Sequence, residues 1–132
     1  MKRQLVGFMT LVGVICSLSA TVVASPLQPG ESVIVTDQYV TVTGYIGDAV
    51  QVQFQDGSLR TYGKSQLYKT YGCEQRAQYP LCVGNTVMIN GGDGAYLTIV
   101  GRTEDFQGVK YALRLEDGSI DTGYFRNMIS LP

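Results

Sequence analysis

The residues able to do chemistry in this 132-residue chain are few: three cysteines, nine tyrosines, eleven carboxylates and no histidine. The missing imidazole removes the commonest general base, the Ser-His and Cys-His nucleophiles and every His-containing zinc site. Cys73 and Cys82 lack the C-x-x-C spacing of a thiol oxidoreductase, and two lone thiols do not complete a structural zinc site. Eleven acids are enough to provide a glycosidase pair, yet none lies in a recognisable motif. Asp56 and Asp117 each precede Gly-Ser, where a carboxylate serves hairpin geometry. The run Asn90-Gly91-Gly92-Asp93-Gly94 lacks the alternating acids and closing Glu of a calcium loop, and reads as a turn. Glu104 and Asp105 read as a solvated loop. The sequence therefore predicts no enzyme, no metal and no cofactor.

Cellular context comes from the first residues. Met1-Lys2-Arg3 is basic, residues 5–24 carry no charge, and Val22-Val23-Ala24 precedes Ser25-Pro26. This pattern predicts a secretory signal peptide over 1–24, cut after Ala24, and hence an exported protein, periplasmic or secreted. Membrane contact is expected only if that segment stays uncleaved. Cys16 lacks the preceding Leu and small residue of a lipidation site. Cleavage leaves Cys73 and Cys82, and an even number in an oxidising compartment predicts a disulfide. Closing so short a loop contributes about 2.5–3 kcal/mol in the chain-entropy model. The whole chain carries −1, and losing Lys2 and Arg3 makes the remainder more acidic, which argues against nucleic acid as a partner.

The elements that must position these residues repeat. One shift of the chain lays Gly30, Val33, Val35, Ile46 and Gly47 on Gly84, Val87, Ile89, Val100 and Gly101. A longer shift lays Phe54, Asp56, Gly57, Ser58, Leu59 and Leu67 on Leu115, Asp117, Gly118, Ser119, Ile120 and Met128. The difference places an insertion in the second copy around residues 103–109. In Val50-Gln51-Val52-Gln53-Phe54-Gln55 apolar residues alternate with Gln, the period of a half-buried strand. Asp56-Gly57 and Asp117-Gly118 predict two-residue hairpin turns. That register sets Gln55 opposite Ser58, Phe54 opposite Leu59 and Gln53 opposite Arg60. In the second copy it sets Leu115 opposite Ile120, Arg114 opposite Asp121 and Tyr111 opposite Tyr124. Single turns are expected at 63–66 and 124–127. No sustained 3.6-residue apolar stripe occurs, so the fold is read as all-β.

The order of these segments resembles the SH3-like barrels, the group that includes bacterial SH3, Tudor and KOW modules. The resemblance rests on Val33-Ile34-Val35 and Val87-Met88-Ile89 as opening strands, Gly44-Tyr45-Ile46 and Ile99-Val100-Gly101 as second strands, the DG hairpins, and Leu67-Tyr68 and Met128-Ile129 at the close. It implies two small barrels in tandem after the signal peptide. The first spans 30–70 and the second 84–132, with a disulfide-containing linker over 71–83 between them. Copies this small would share stabilisation through the disulfide and through packing on each other. In such barrels aromatics from the first long loop, the hairpin and the last turn line a ligand groove. The resemblance thus points to Tyr39, Tyr62 and Tyr68 in the first copy, and to Tyr96, Tyr124 and Phe125 in the second.

The expected function is a non-catalytic binding or scaffolding module of the cell envelope, with a cell-wall peptide or peptidoglycan as ligand. One alternative is a structural or assembly protein that pairs with an envelope protein through an exposed β edge or Tyr-rich face. Another is a small envelope enzyme or enzyme inhibitor. Arg60, Lys64, Lys69 and Arg76 form a basic stretch suited to an anionic polymer or to water.

Overall fold

The computed structural model describes residues 27–74 and 80–132. The expected signal peptide, Cys16 and Arg76 lie outside the described residues. The fold is all-β, with every strand pair antiparallel. The first set comprises β1 (Ser32–Val35), β2 (Gln38–Ile46), β3 (Ala49–Gln53), β4 (Leu59–Tyr62), a 3₁₀ turn (Lys64–Gln66) and β5 (Tyr68–Lys69). The second comprises β6 (Thr86–Ile89), β7 (Leu97–Asp105), β8 (Gly108–Arg114), β9 (Ile120–Phe125), a 3₁₀ turn (Arg126–Met128) and β10 (Ile129–Ser130). In each set the first four strands form a meander, and the fifth returns to pair with the first. A single pair, Lys69 opposite Arg102, joins β5 to β7 and makes the sheet continuous.

The repeat is visible in hydrogen bonds as well as in residue types. The Gly30 N–H donates to Val42 O at 2.8 Å, and the Gly84 N–H donates to Ile99 O at 2.8 Å. Val42 N–H returns to Glu31 O, and Ile99 N–H to Asn85 O. Val42 and Gly44 are therefore the counterparts of Ile99 and Gly101, both pairs at β-bulges, and Ile46 and Gly47 do not correspond to Val100 and Gly101. The loop before β7 is longer than the one before β2, so a single shift misaligns this strand. At the end, Leu67 corresponds to Ile129 rather than Met128, because each directly follows its 3₁₀ turn and is buried. An extra bulge between Tyr111 and Leu113 accounts for that offset.

The hairpin register also differs from the two-residue expectation. Gly57 N–H donates to Phe54 O and Phe54 N–H to Ser58 O, while Gln53 stands opposite Leu59. The loop thus has three residues, a type I turn followed by Gly57 at φ 88°. Gly118, at φ 87°, does the same between Leu115 and Ser119. Leu113 consequently faces Asp121 and Arg114 faces Ile120. Tyr111 still faces Tyr124, because the bulge between Tyr111 and Leu113 compensates for the shifted turn.

Three apolar clusters hold the sheet. Val33, Val35, Val40, Val42, Val50, Val52, Leu67 and Leu27 fill the first set, and Leu81, Val87, Leu97, Ile99, Tyr111, Leu113 and Ile129 fill the second. Ile34, Tyr68, Val100 and Ala112 form a third cluster drawn from both sets. This explains two kinds of strand pattern. Val50 and Val52 alternate with outward Gln because β3 has one buried face. Val33-Ile34-Val35 and Tyr111-Ala112-Leu113 are buried throughout because their strands are covered on both faces. Gly101 lies where the two sets approach most tightly: a Cβ there would come within 2.9 Å of Tyr68 Cβ and 3.2 Å of Ile34 Cδ1.

Candidate functional site

Over residues 103–109 the insertion inferred in the second copy is an extension of strand, not a loop, and the rest of it lengthens the loop before β7. Beyond its bulge β2 pairs with β3 at three positions, from Gly44–Gln51 to Ile46–Ala49. Beyond its own bulge β7 pairs with β8 at five, from Gly101–Ala112 to Asp105–Gly108. Glu104 and Asp105, expected in a solvated loop, are therefore strand residues. The Asp105 carboxylate organises the tip: its Oδ1 accepts the Gln107 N–H at 2.8 Å, and its Oδ2 lies 3.4 Å from Lys110 Nζ. The backbone hydrogen bond from Gln107, with Lys110 assisting, holds its carboxyl below the usual range. At this ordered tip stands Phe106, with 96% of its surface exposed.

Beside the hairpin a shallow cleft of about 540 Å³ is lined by Gln107, Gly108 and Val109 on one side and by Phe125, Arg126, Asn127 and Ile129 on the other. The second wall is braced from two directions. Asn90 donates from Nδ2 to Asn127 O at 2.9 Å and accepts from Ser130 Oγ at 2.9 Å. Arg126 Nε donates to Glu74 Oε1 at 3.1 Å. Glu74 is buried and also receives the Leu81 N–H, while its own N–H donates to Leu81 O at 3.0 Å. Cys73 and Cys82 form the expected disulfide around this pair. Tyr111 is packed beneath, its hydroxyl buried beside the Glu74 carboxylate. Burial, reinforced by the Glu74 carboxylate, pushes this phenol well above its ordinary pKa, so it stays protonated.

The six expected groove residues are dispersed. Phe125 lines the cleft, and Tyr124 packs on the second core with its hydroxyl on Asp121 at 2.8 Å. Tyr96 is 68% exposed. Tyr62 packs on the first core, its ring centroid 6.4 Å from that of Phe54. Tyr39 and Tyr68 belong to the junction between the sets. Tyr68 is only 5% exposed, and its hydroxyl accepts the Gly123 N–H at 3.1 Å, so it is a packing residue and cannot line an open groove. Burial raises its pKa. Tyr39 accepts from Arg114 Nη2 at 3.1 Å, a bond between residues 75 apart in sequence.

The described members of the basic stretch meet aromatic faces. Arg60 lies 5.1 Å from the Phe54 centroid, Lys64 5.7 Å from Tyr45 and Lys69 5.7 Å from Tyr71. Burial, followed by the facing Arg102, lowers the pKa of Lys69.

Phe106, Arg126 and Glu74 were not among the sequence candidates. A signal for Phe106 existed: a large apolar residue occupies the centre of a hairpin turn, where Gly, Asn or Asp is favoured. No comparable signal marks Glu74, whose burial depends on the disulfide segment folding over β8. Comparison of the chain with protein-family models, curated proteins and solved structures finds no match.

Proposed function

We propose that this chain is an exported, non-catalytic binding or scaffolding module of the cell envelope, built as two SH3-like barrels in tandem. The cleft between the β7–β8 hairpin and the second 3₁₀ turn is its peptide-binding site, suited to the peptide stems of a wall polymer. The observation that carries this reading is Phe106, a fully presented ring on a hairpin tip held by Asp105, beside a concave surface. A large apolar side chain so placed offers a partner apolar area to bury. Phe125 supplies a second apolar wall, and the Arg126 aliphatic stem a third.

Co-sedimentation of the purified protein with cell-wall sacculi, at low and high salt, tests the proposal. Salt-resistant binding is expected, weakened about tenfold by Phe106→Ala or Phe125→Ala. Absence of binding at both salt concentrations overturns it. A second reading, pairing with an envelope protein through a strand edge, draws on β4. Among the described residues β4 pairs with β3 alone, and its Leu59 is 53% exposed. That reading requires self-association or a single protein partner, abolished by Leu59→Lys.

A further inference from the structure

A second depression, of about 260 Å³, opens on the first set of strands, and its chemistry differs from that of the cleft. Its lining includes Ser32, Tyr39, Thr41, Gln53, Phe54 and Gln55. Ser32, Thr41 and Gln53 are cross-strand neighbours on β1, β2 and β3, and all three are exposed. They therefore form one row of hydroxyl and amide groups on the outward face. Gln55, also exposed, extends the row beyond the end of β3. The Gln53 amide makes only a long 3.4 Å contact with Gly57 O.

Among the described residues, no carboxylate and no cationic side chain lines this depression. Two cations lie near it, but each is directed at an aromatic residue. The Arg60 guanidinium lies against the Phe54 ring, and Arg114 donates to the Tyr39 hydroxyl. Tyr39 is further fixed by packing against the junction cluster, so its ring is in place before any ligand arrives. Hydroxyls and carboxamides both donate and accept hydrogen bonds. Such a lining favours a neutral ligand bearing many hydroxyl or amide groups with an apolar face to set against a ring. Its size lies below the roughly 300–1,000 Å³ of sites that enclose a whole drug-sized molecule. One ring of an extended polymer fits that description.

We propose that this depression is a subsite for one neutral sugar ring of a polysaccharide. The ring's C–H face packs on Tyr39, and its hydroxyl or acetamido groups bond to Gln53, Gln55 and Thr41. This goes beyond the peptide reading of the cleft and does not depend on it, since the two sites share no residue.

The test is titration of the purified, isotope-labelled protein with an N-acetylglucosamine hexamer and with a glucose hexamer, followed by nuclear magnetic resonance. Saturable movement of the Gln55 side-chain amide and the Tyr39 ring signals is expected with at least one hexamer, at about millimolar affinity. Gln55→Ala should weaken binding about tenfold, and Tyr39→Phe should retain it. Gln55 is exposed and makes no core contact, so its replacement isolates recognition from folding. Two results overturn the proposal: no saturable shift with either hexamer, or shifts confined to the Phe125–Arg126 cleft. Sacculus binding that disappears in Phe106→Ala while hexamer binding persists separates failure of one site from failure of the other.

Discussion

Lys64 and Arg126 begin the same 3₁₀ turn in the two sets of strands, but their surroundings differ. Lys64 lies over the Tyr45 ring, beside a β2–β3 ribbon that ends at the tight Gly47-Asp48 turn. Arg126 is tied to buried Glu74, beside a ribbon two residue pairs longer that ends in Phe106. Beneath these rims the strand frameworks correspond from Val33 and Val87 through the two DGS turns, apart from the longer loop ahead of β7. Constraint ends at the rims. Core positions are dictated by burial on both sides of the repeat, whereas a ribbon tip in solvent is free to lengthen at little energetic cost. The extended tip in only one set is the reason to place peptide recognition there.

The two sets are expected to unfold as one cooperative unit. Ile34 is fully buried in the cluster shared by both. Ile34→Ala should lower stability by roughly 2–5 kcal/mol in a single calorimetric transition. Two resolved transitions, with only one displaced, would show that the junction does not couple the sets. Next in size is the disulfide, which has no counterpart in the first set. Cys73→Ser with Cys82→Ser should cost about 2.5–3 kcal/mol in chemical denaturation. Hydrogen-exchange protection should fall around Leu81 and Arg126 before it falls in β1–β4.

The ribbon tips provide a sharper contrast. Ile46 of the first set is 56% exposed, and Phe106 of the second almost wholly so. Phe106→Ala and Ile46→Ala should each leave stability within about 0.5 kcal/mol of the parent. Only Phe106→Ala should reduce sacculus binding; equal losses would remove the distinction between the tips.

The smallest effect is one the two sets should share. The Ser58 hydroxyl bonds to Asp56 at 2.6 Å, and the Ser119 hydroxyl to Asp117 at 2.5 Å. Those hydroxyls, followed by the serine N–H groups, hold both carboxyls below the usual range. A carboxylate with a lowered folded pKa stabilises above its unfolded pKa, and the contribution is lost as pH falls through the folded one. The thermal midpoint should therefore decline below about pH 4, and Asp56→Asn with Asp117→Asn should flatten that decline. An unequal effect of the two single variants would show that the hairpins are not equivalent.

Much of the fold was legible because it depends on local pattern. The alternation around Val50 and Val52 identifies a half-buried strand, and the repeated DGS fixes both hairpins. The register slipped by one because Asp-Gly suits both a two-residue loop and a type I turn followed by a left-handed glycine. The bonds from Ser58 and Ser119 to the preceding carboxylates accompany the latter. The site was less legible. Whether Tyr68 is exposed depends on Gly101 and Gly123, which belong to the other set. A pattern read along one strand carries no information about what a second set of strands will lay across it. Phe106 is legible in principle, as an aromatic in a turn between acidic neighbours.

The turn ahead of β1 and the turn ahead of β6 close in the same way. Glu31 N–H bonds to Gln28 O and Gln28 N–H to the Glu31 carboxylate; Asn85 N–H bonds to Cys82 O and Cys82 N–H to the Asn85 amide oxygen. Cys82 thus occupies the place that a glutamine holds in the first copy. The covalent link is carried on a turn that also closes through its own hydrogen bonds. Reducing the disulfide should therefore leave the Cys82–Asn85 hydrogen bonds in place, so that the covalent link adds a constraint to a turn already closed.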